Sequence, residues 1–161
     1  MTNPISLQIQ IKNLILFFII SLAFSGITAF FVETELRLLL DYFNFSPIIN
    51  GWLHHVHNVL ADLNNNQPFI SYGYDWLAFG HLIIALFFVG ALKSPIENNW
   101  VIQYGMIACV AIFPVAFIAG YFRGIPILWQ IIDCSFGIFG FILLYIINKK
   151  IVQLKKQLHY E

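Results

Sequence analysis

Residues 101–147 read VIQYGMIACVAIFPVAFIAGYFRGIPILWQIIDCSFGIFGFILLYII, and they are the most informative part of the chain for its fold class. It contains two apolar runs, which we place at about 101–122 and 126–147, separated only by the tripeptide at 123–125. A helix of about 20 apolar residues is long enough to cross the roughly 30 Å hydrocarbon core of a bilayer. The stretch therefore predicts two membrane-spanning helices joined by a tight turn.

The same criterion predicts two further spans, at about 14–32 and 76–92. Composition agrees, because 60% of the 161 residues are hydrophobic and only 10% are charged. Soluble domains carry about 25% charged residues, and the mean hydropathy here is +0.79. We therefore predict an all-α fold, an integral membrane four-helix bundle that forms a single membrane domain over residues 1–161.

The segment between the first two spans, residues 33–75, is too apolar for a plain linker. Its first part, ETELRLLLDYF at 33–43, allows a Glu33–Arg37 pair at i,i+4 beside apolar leucines. Its second part, PIINGWLHHVHNVLADL at 47–63, places apolar residues on one helical face. Both patterns are typical of amphipathic helices that lie on a membrane or cap a bundle. We predict an amphipathic helical cap between spans 1 and 2.

The basic residues are divided unevenly between the two sides of the predicted spans. Two of them, Arg37 and Arg123, lie on one side, and the other side carries Lys12, Lys93, Lys149, Lys150, Lys155 and Lys156. Because basic residues are enriched in cytoplasmic loops, both termini are predicted to be cytoplasmic, with residues 33–75 facing outward. The alternative is a signal peptide cleaved before Gly26, which would leave the downstream topology unchanged.

Two ionisable residues fall inside predicted spans at similar depth. Asp133 lies about 10 Å and His81 about 8 Å below the outer interface, at about 1.5 Å of rise per residue. An unpaired charge inside a span costs about 2.5–3.5 kcal/mol even on insertion scales. We therefore predict that the two side chains face each other. Such a pair either holds the helices in register or acts as a catalytic acid and base.

Further charged residues collect at the outer ends of the spans. Glu33 and Glu35 follow the first span, Asp75 precedes the second, and Arg123 lies in the outer turn. This set predicts a polar pocket open to the outer face, in which the Arg123 guanidinium binds an anionic group of a substrate or lipid. The structural alternative is that Arg123 pairs with Asp75 or Glu33 and holds the helices in register.

The remaining candidate ligands predict no metal and no cofactor. On a helix, His54 and His57 share one flank and His55 points to the other, so one ion cannot bind all three. A site made by His54, His57 and a third ligand is the alternative to a solvated or interfacial polar face. Haem is disfavoured because only one histidine lies within a span. Cys109 and Cys134 belong to no C-x-x-C motif.

Three stretches, YGYDWLAFGH, YGMIACV and RGIPILWQIIDCSFGIFG, resemble segments of a group of small bacterial four-span membrane proteins with no established activity. The similarity covers roughly residues 68–140 and is most specific in the last stretch. It implies a protein of the bacterial inner membrane. It transfers no functional residue.

Charge and motifs narrow the possible functions. The formal net charge is zero and no run of like charges occurs, so nucleic acid is not a predicted partner. The leading hypothesis is a non-catalytic membrane protein that binds a lipid or a membrane-protein partner in its outer half. The alternative is a membrane-embedded enzyme that acts on a lipid-like substrate by acid–base catalysis through His81 and Asp133. A proton or ion pathway is disfavoured, because the inner halves of the spans carry almost no ionisable residue.

Overall fold

The computed structural model describes residues 3–158, and within them it contains six α-helices and no strand. In chain order the helices are α1 (Pro4–Ala29), α2 (Val32–Tyr42), α3 (Pro47–Asn66), α4 (Pro68–Lys93), α5 (Asn99–Arg123) and α6 (Ile127–Leu158). Four of these, α1, α4, α5 and α6, are long and apolar enough to cross a membrane. The predicted all-α fold with four spans is therefore confirmed.

The boundaries of the long helices differ from the predicted spans. α1 ends at Ala29, before the predicted limit of 32, and α6 continues from the predicted limit of 147 to Leu158. Hydropathy shows where a chain leaves the hydrocarbon, whereas a helix ends where its backbone hydrogen bonds end. A polar stretch with good helix formers, such as the lysine-rich end of α6, therefore stays helical beyond the apolar run.

Two amphipathic helices, α2 and α3, lie between the first and second spans as predicted. Each buries one leucine, Leu36 on α2 and Leu53 on α3, and the two helices pack against each other. α3 begins with Pro47 in its first turn, where a missing N–H costs nothing. It ends at Asn66, where the asparagine run begun at 64 gives way to Gln67 and Pro68.

The described chain forms two compact units. We call residues 3–20 with 86–158 the first unit and residues 21–85 the second unit. The first unit has a core to which all four long helices contribute apolar side chains. Its members that are at most 1% exposed are Leu7, Ile11, Ile15, Ala91, Ile102, Leu144, Ile147 and Ile151.

Large apolar side chains are also exposed along the long helices. Phe17, Phe87 and Phe136 are each more than 60% exposed. A soluble protein rarely exposes contiguous apolar surface of this kind, whereas a helix in a bilayer presents it to the lipid. The exposed faces of the long helices are thus suited to contact with hydrocarbon.

Candidate functional site

The turn between α5 and α6 carries the first of the predicted site residues. α5 ends at Arg123, and Gly124 follows in a left-handed conformation with φ of 65°. The N–H of Ile125 donates to the carbonyl of Gly120 at 2.9 Å, which closes the end of α5. Because a left-handed φ suits glycine best, Gly124 determines where α5 stops and where the exposed Arg123 lies.

The buried Gln130 stabilises the turn of this hairpin. It was not among the predicted site residues. It is the one buried polar residue in the described chain, at 7% exposure. Its Nε2 donates to the carbonyl of Ile125 at 2.7 Å, and its side chain packs directly on Gly120. A neutral amide within an apolar run was the only signal in the sequence, and it is weaker than that of a charge.

Asp133 lies three residues after Gln130 on α6, and its side chain lies on a different face of the helix. Three residues turn a helix by about 300°, so the two side chains are about 60° apart around α6. Gln130 points into the α5–α6 contact, whereas Asp133 is exposed. By rise per residue, Asp133 lies about 9 Å along α6 from its first residue, Ile127. The structure thus places a carboxylate within a span and on an exposed surface.

The α5–α6 contact continues through the glycines that follow Asp133. A Cβ at Gly137 would lie 2.8 Å from the carbonyl oxygen of Cys109, and one at Gly140 would lie 2.9 Å from the Cys109 Sγ. At Gly137 the atom met is backbone, so this close approach of α6 to α5 favours glycine, whereas at Gly140 the space is taken by the thiol. Cys109 and Cys134 are both buried and free, so these thiols contribute to packing.

His81 lies on α4 in the second unit and is half-buried. Its Nδ1 lies 3.0 Å from the carbonyl of Leu77, one turn earlier on the same helix. A carbonyl only accepts, so Nδ1 is the donor in this hydrogen bond. The Cβ of His81 also packs against Gly26 of α1, where an added Cβ would lie 3.0 Å away. The predicted pairing of His81 with Asp133, which belongs to the first unit, stays a prediction.

The three predicted carboxylates of the second unit are in different environments. The carboxylate of Glu33, on α2, accepts a hydrogen bond from the Asn64 amide of α3, which ties the two amphipathic helices together. Glu35 lies in the first turn of α2 and is exposed. Asp75 is exposed on α4. Glu33 is thus engaged within its own unit, while Glu35 and Asp75 present free surface charge.

The histidine cluster on α3 is spread around the helix. His54 and His55 are exposed, His57 is half-buried, and the His55 ring packs on Trp52 with centroids 5.6 Å apart. Within residues 3–158, no group of three or more His, Cys, Asp and Glu side chains is arranged to hold a metal ion.

At the opposite end of the first unit, asparagine side chains that the sequence did not predict as functional connect α4, α5 and α6. Asn99 Nδ2 on α5 donates to Asn148 Oδ1 on α6 at 2.9 Å. Asn98 Nδ2 donates to the carbonyl of Gly90 on α4 at 3.0 Å. Asn98 and Asn99 lie where the α4–α5 loop meets α5, and Asn148 lies beside Lys149 just after the predicted fourth span. Such positions are ordinarily solvated, so no sequence signal distinguishes these asparagines.

The same end of the first unit contains a cavity of about 530 Å³. It is lined by the start of α1, the α4–α5 loop and the end of α6, and its charged residues are Lys93 and Glu97.

Comparison with known proteins adds no further assignment. No protein-family model, no curated protein and no solved structure matches this chain.

Proposed function

We propose that this chain is a multi-pass protein of the bacterial inner membrane, with both termini cytoplasmic, that binds a lipid or a membrane-protein partner through its outer half. The lysine distribution supports the orientation. The resemblance of residues 68–140 to small bacterial four-span proteins supports the assignment to the bacterial inner membrane.

The observation that carries the proposal is the exposed position of Asp133 within a membrane-spanning helix. A carboxylate that faces hydrocarbon is unfavourable by about 2.5–3.5 kcal/mol, so such residues pair with a polar or basic group. A bound partner or lipid headgroup that donates hydrogen bonds would supply that group. Arg123, exposed at the end of the same hairpin, offers the complementary charge for an anionic group.

The turn of the α5–α6 hairpin is built to hold this surface in place. Gly124 and the Gln130–Ile125 hydrogen bond fix the turn, and both lie between Arg123 and Asp133 in sequence. A binding group on a rigid element loses less conformational entropy when its partner binds than one on a mobile loop.

The test compares wild type with Asp133→Asn after purification in mild detergent. We expect a stoichiometric lipid or protein to co-purify with wild type, and to be reduced at least tenfold in Asp133→Asn at an unchanged thermal unfolding midpoint. Ser135→Ala, two residues along α6, serves as the matched control and should retain the bound species. A variant that retains the bound species, or that loses thermal stability together with it, would contradict the proposal.

A second candidate is a membrane enzyme that acts on a lipid-like substrate by acid–base catalysis through His81 and Asp133. The hydrogen bond from His81 Nδ1 to Leu77 favours it, because Nε2 remains available to accept a proton. Incubation with a membrane-lipid extract should then show substrate consumption by mass spectrometry. His81→Gln and Asp133→Asn should each abolish this consumption, and consumption that survives both substitutions would exclude the pair.

A further inference from the structure

The end of α6 that follows the predicted fourth span is the feature that the proposed function does not use. α6 continues to Leu158 and carries four lysines after the last aromatic residue of the span, Tyr145. They are Lys149, Lys150, Lys155 and Lys156. The lysine-rich stretch after the span is therefore a continuation of α6.

One of these four lysines is engaged within the protein. Lys150 is half-buried, and its Nζ donates to the Gln10 Oε1 of α1 at 2.7 Å. Its neighbours Ile151 and Leu154 belong to the core of the first unit. Lys150 thus helps to join α6 to α1.

The other three lysines are exposed. Lys149 and Lys156 are seven residues apart, so they lie within about 20° of each other around the helix. Both lie on the side of α6 away from the buried Ile151 and Leu154. Lys155 is about 100° from Lys156 around the helix and about 40° from Ile151. Its exposed side chain therefore emerges at the flank of this side, so two ammonium groups project from the outer side of α6 and a third from its flank.

An aromatic pair lies beside the lysines of this face, as is typical of helix ends at a membrane interface. The Lys149 Nζ lies 4.7 Å from the centroid of the Tyr145 ring, and Tyr145 stacks on Phe141 with centroids 6.1 Å apart. Tyrosine is enriched at the level of lipid headgroups. Lys149, about 6 Å further along the helix, then reaches the phosphate layer. Lys155 and Lys156 are long enough to extend back towards it.

We propose that the basic face of α6, defined by Tyr145, Lys149, Lys155 and Lys156, binds anionic phospholipid headgroups of the adjoining leaflet. Only two acidic residues, Glu97 and Glu161, accompany the six lysines on that side of the spans. A lysine near an anionic leaflet strengthens binding by about fivefold. This surface is at the opposite end of α6 from Asp133, so its binding is tested separately from that of the outer half, while the leaflet that it faces rests on the proposed orientation.

The test titrates phosphatidylglycerol or phosphatidylcholine into the full-length protein in detergent, with the lipid-bound fraction measured by native mass spectrometry. We expect wild type to bind phosphatidylglycerol at least tenfold more tightly than phosphatidylcholine. The triple variant Lys149→Gln, Lys155→Gln, Lys156→Gln should lose this preference, with its affinity for phosphatidylcholine unchanged. Raising the ionic strength to about 0.5 M should weaken the preference in wild type, because salt screens exposed charges.

Two control variants separate charge from structure. Lys150→Gln should change the lipid preference less than twofold, because its ammonium is already bound to Gln10. The charge-preserving triple Lys149→Arg, Lys155→Arg, Lys156→Arg should keep the preference. An equal concentration of inorganic phosphate should not displace the lipid. The proposal is overturned if the glutamine triple keeps its preference, if wild type shows none, or if inorganic phosphate competes.

Discussion

At the scale of single residues, Gln130 and Asp133 show why some polar groups in a span are predictable from sequence and others are not. A carboxylate in an apolar run is a strong signal, because its charge is costly to bury. Gln130 gives only a weak signal, because a neutral amide is cheaper to bury and its partner is a backbone carbonyl. Yet the side chain of Gln130 is buried and hydrogen-bonded within the protein, while that of Asp133 is exposed.

A double-mutant cycle tests the contact between Gly120 and Gln130. Gly120→Ala places a Cβ where the Gln130 side chain lies, so it should displace the amide from Ile125 and lower the free energy of unfolding by about 1–3 kcal/mol. In the Gln130→Ala background, that Cβ enters the vacated space. The cost of Gly120→Ala should then fall below about 0.5 kcal/mol, since substitutions of contacting residues are not additive.

Thermal or denaturant unfolding in mild detergent gives the four free energies of this cycle. Gln103→Ala, which removes the same amide from an exposed position on α5, is the matched control and should change stability by less than about 0.5 kcal/mol. Additive effects of Gly120→Ala and Gln130→Ala would show that the two side chains do not share one contact.

At the scale of helices, the sequence predicted which segments are helical and left open which faces meet. Apolar runs and lengths identified all four spans, because both are properties of a segment alone. The predicted pairing of His81 with Asp133 used depth along two helices, and depth does not specify rotation about either axis. The close approach of α5 and α6 at Gly137 depends on such rotation, so the sequence GIFG at 137–140 does not by itself indicate this contact.

The glycine at this crossing should be far less replaceable than others in the spans. At Gly137 an added Cβ meets the backbone oxygen of Cys109, which cannot rotate away, whereas at Gly80 of α4 nothing lies within 4 Å. Gly137→Ala should therefore lower the unfolding free energy in detergent by about 1–3 kcal/mol through overpacking. Gly80→Ala should be neutral, or stabilising by up to about 1 kcal/mol. Equal effects of the two substitutions would contradict a tight α5–α6 crossing.

At the scale of the whole chain, the basic residues are divided unevenly between the two sides of the predicted spans, although the charges balance overall. The formal net charge is zero, yet all six lysines lie on one side of the predicted spans and both arginines on the other. The side with the arginines carries five acidic residues outside the spans: Glu33, Glu35, Asp41, Asp62 and Asp75. Positive residues resist translocation, so this division predicts the orientation of every loop.

Labelling of introduced cysteines tests that orientation. Glu97→Cys places a thiol in the exposed α4–α5 loop, and Asn65→Cys places one at the exposed end of α3. The native Cys109 and Cys134 are 8% and 4% exposed, so they contribute little background. A membrane-impermeant maleimide should label Asn65→Cys in intact cells and Glu97→Cys only after lysis. The reverse pattern would invert the topology and place the basic end of α6 outside, where the anionic lipids of the inner leaflet could not reach it.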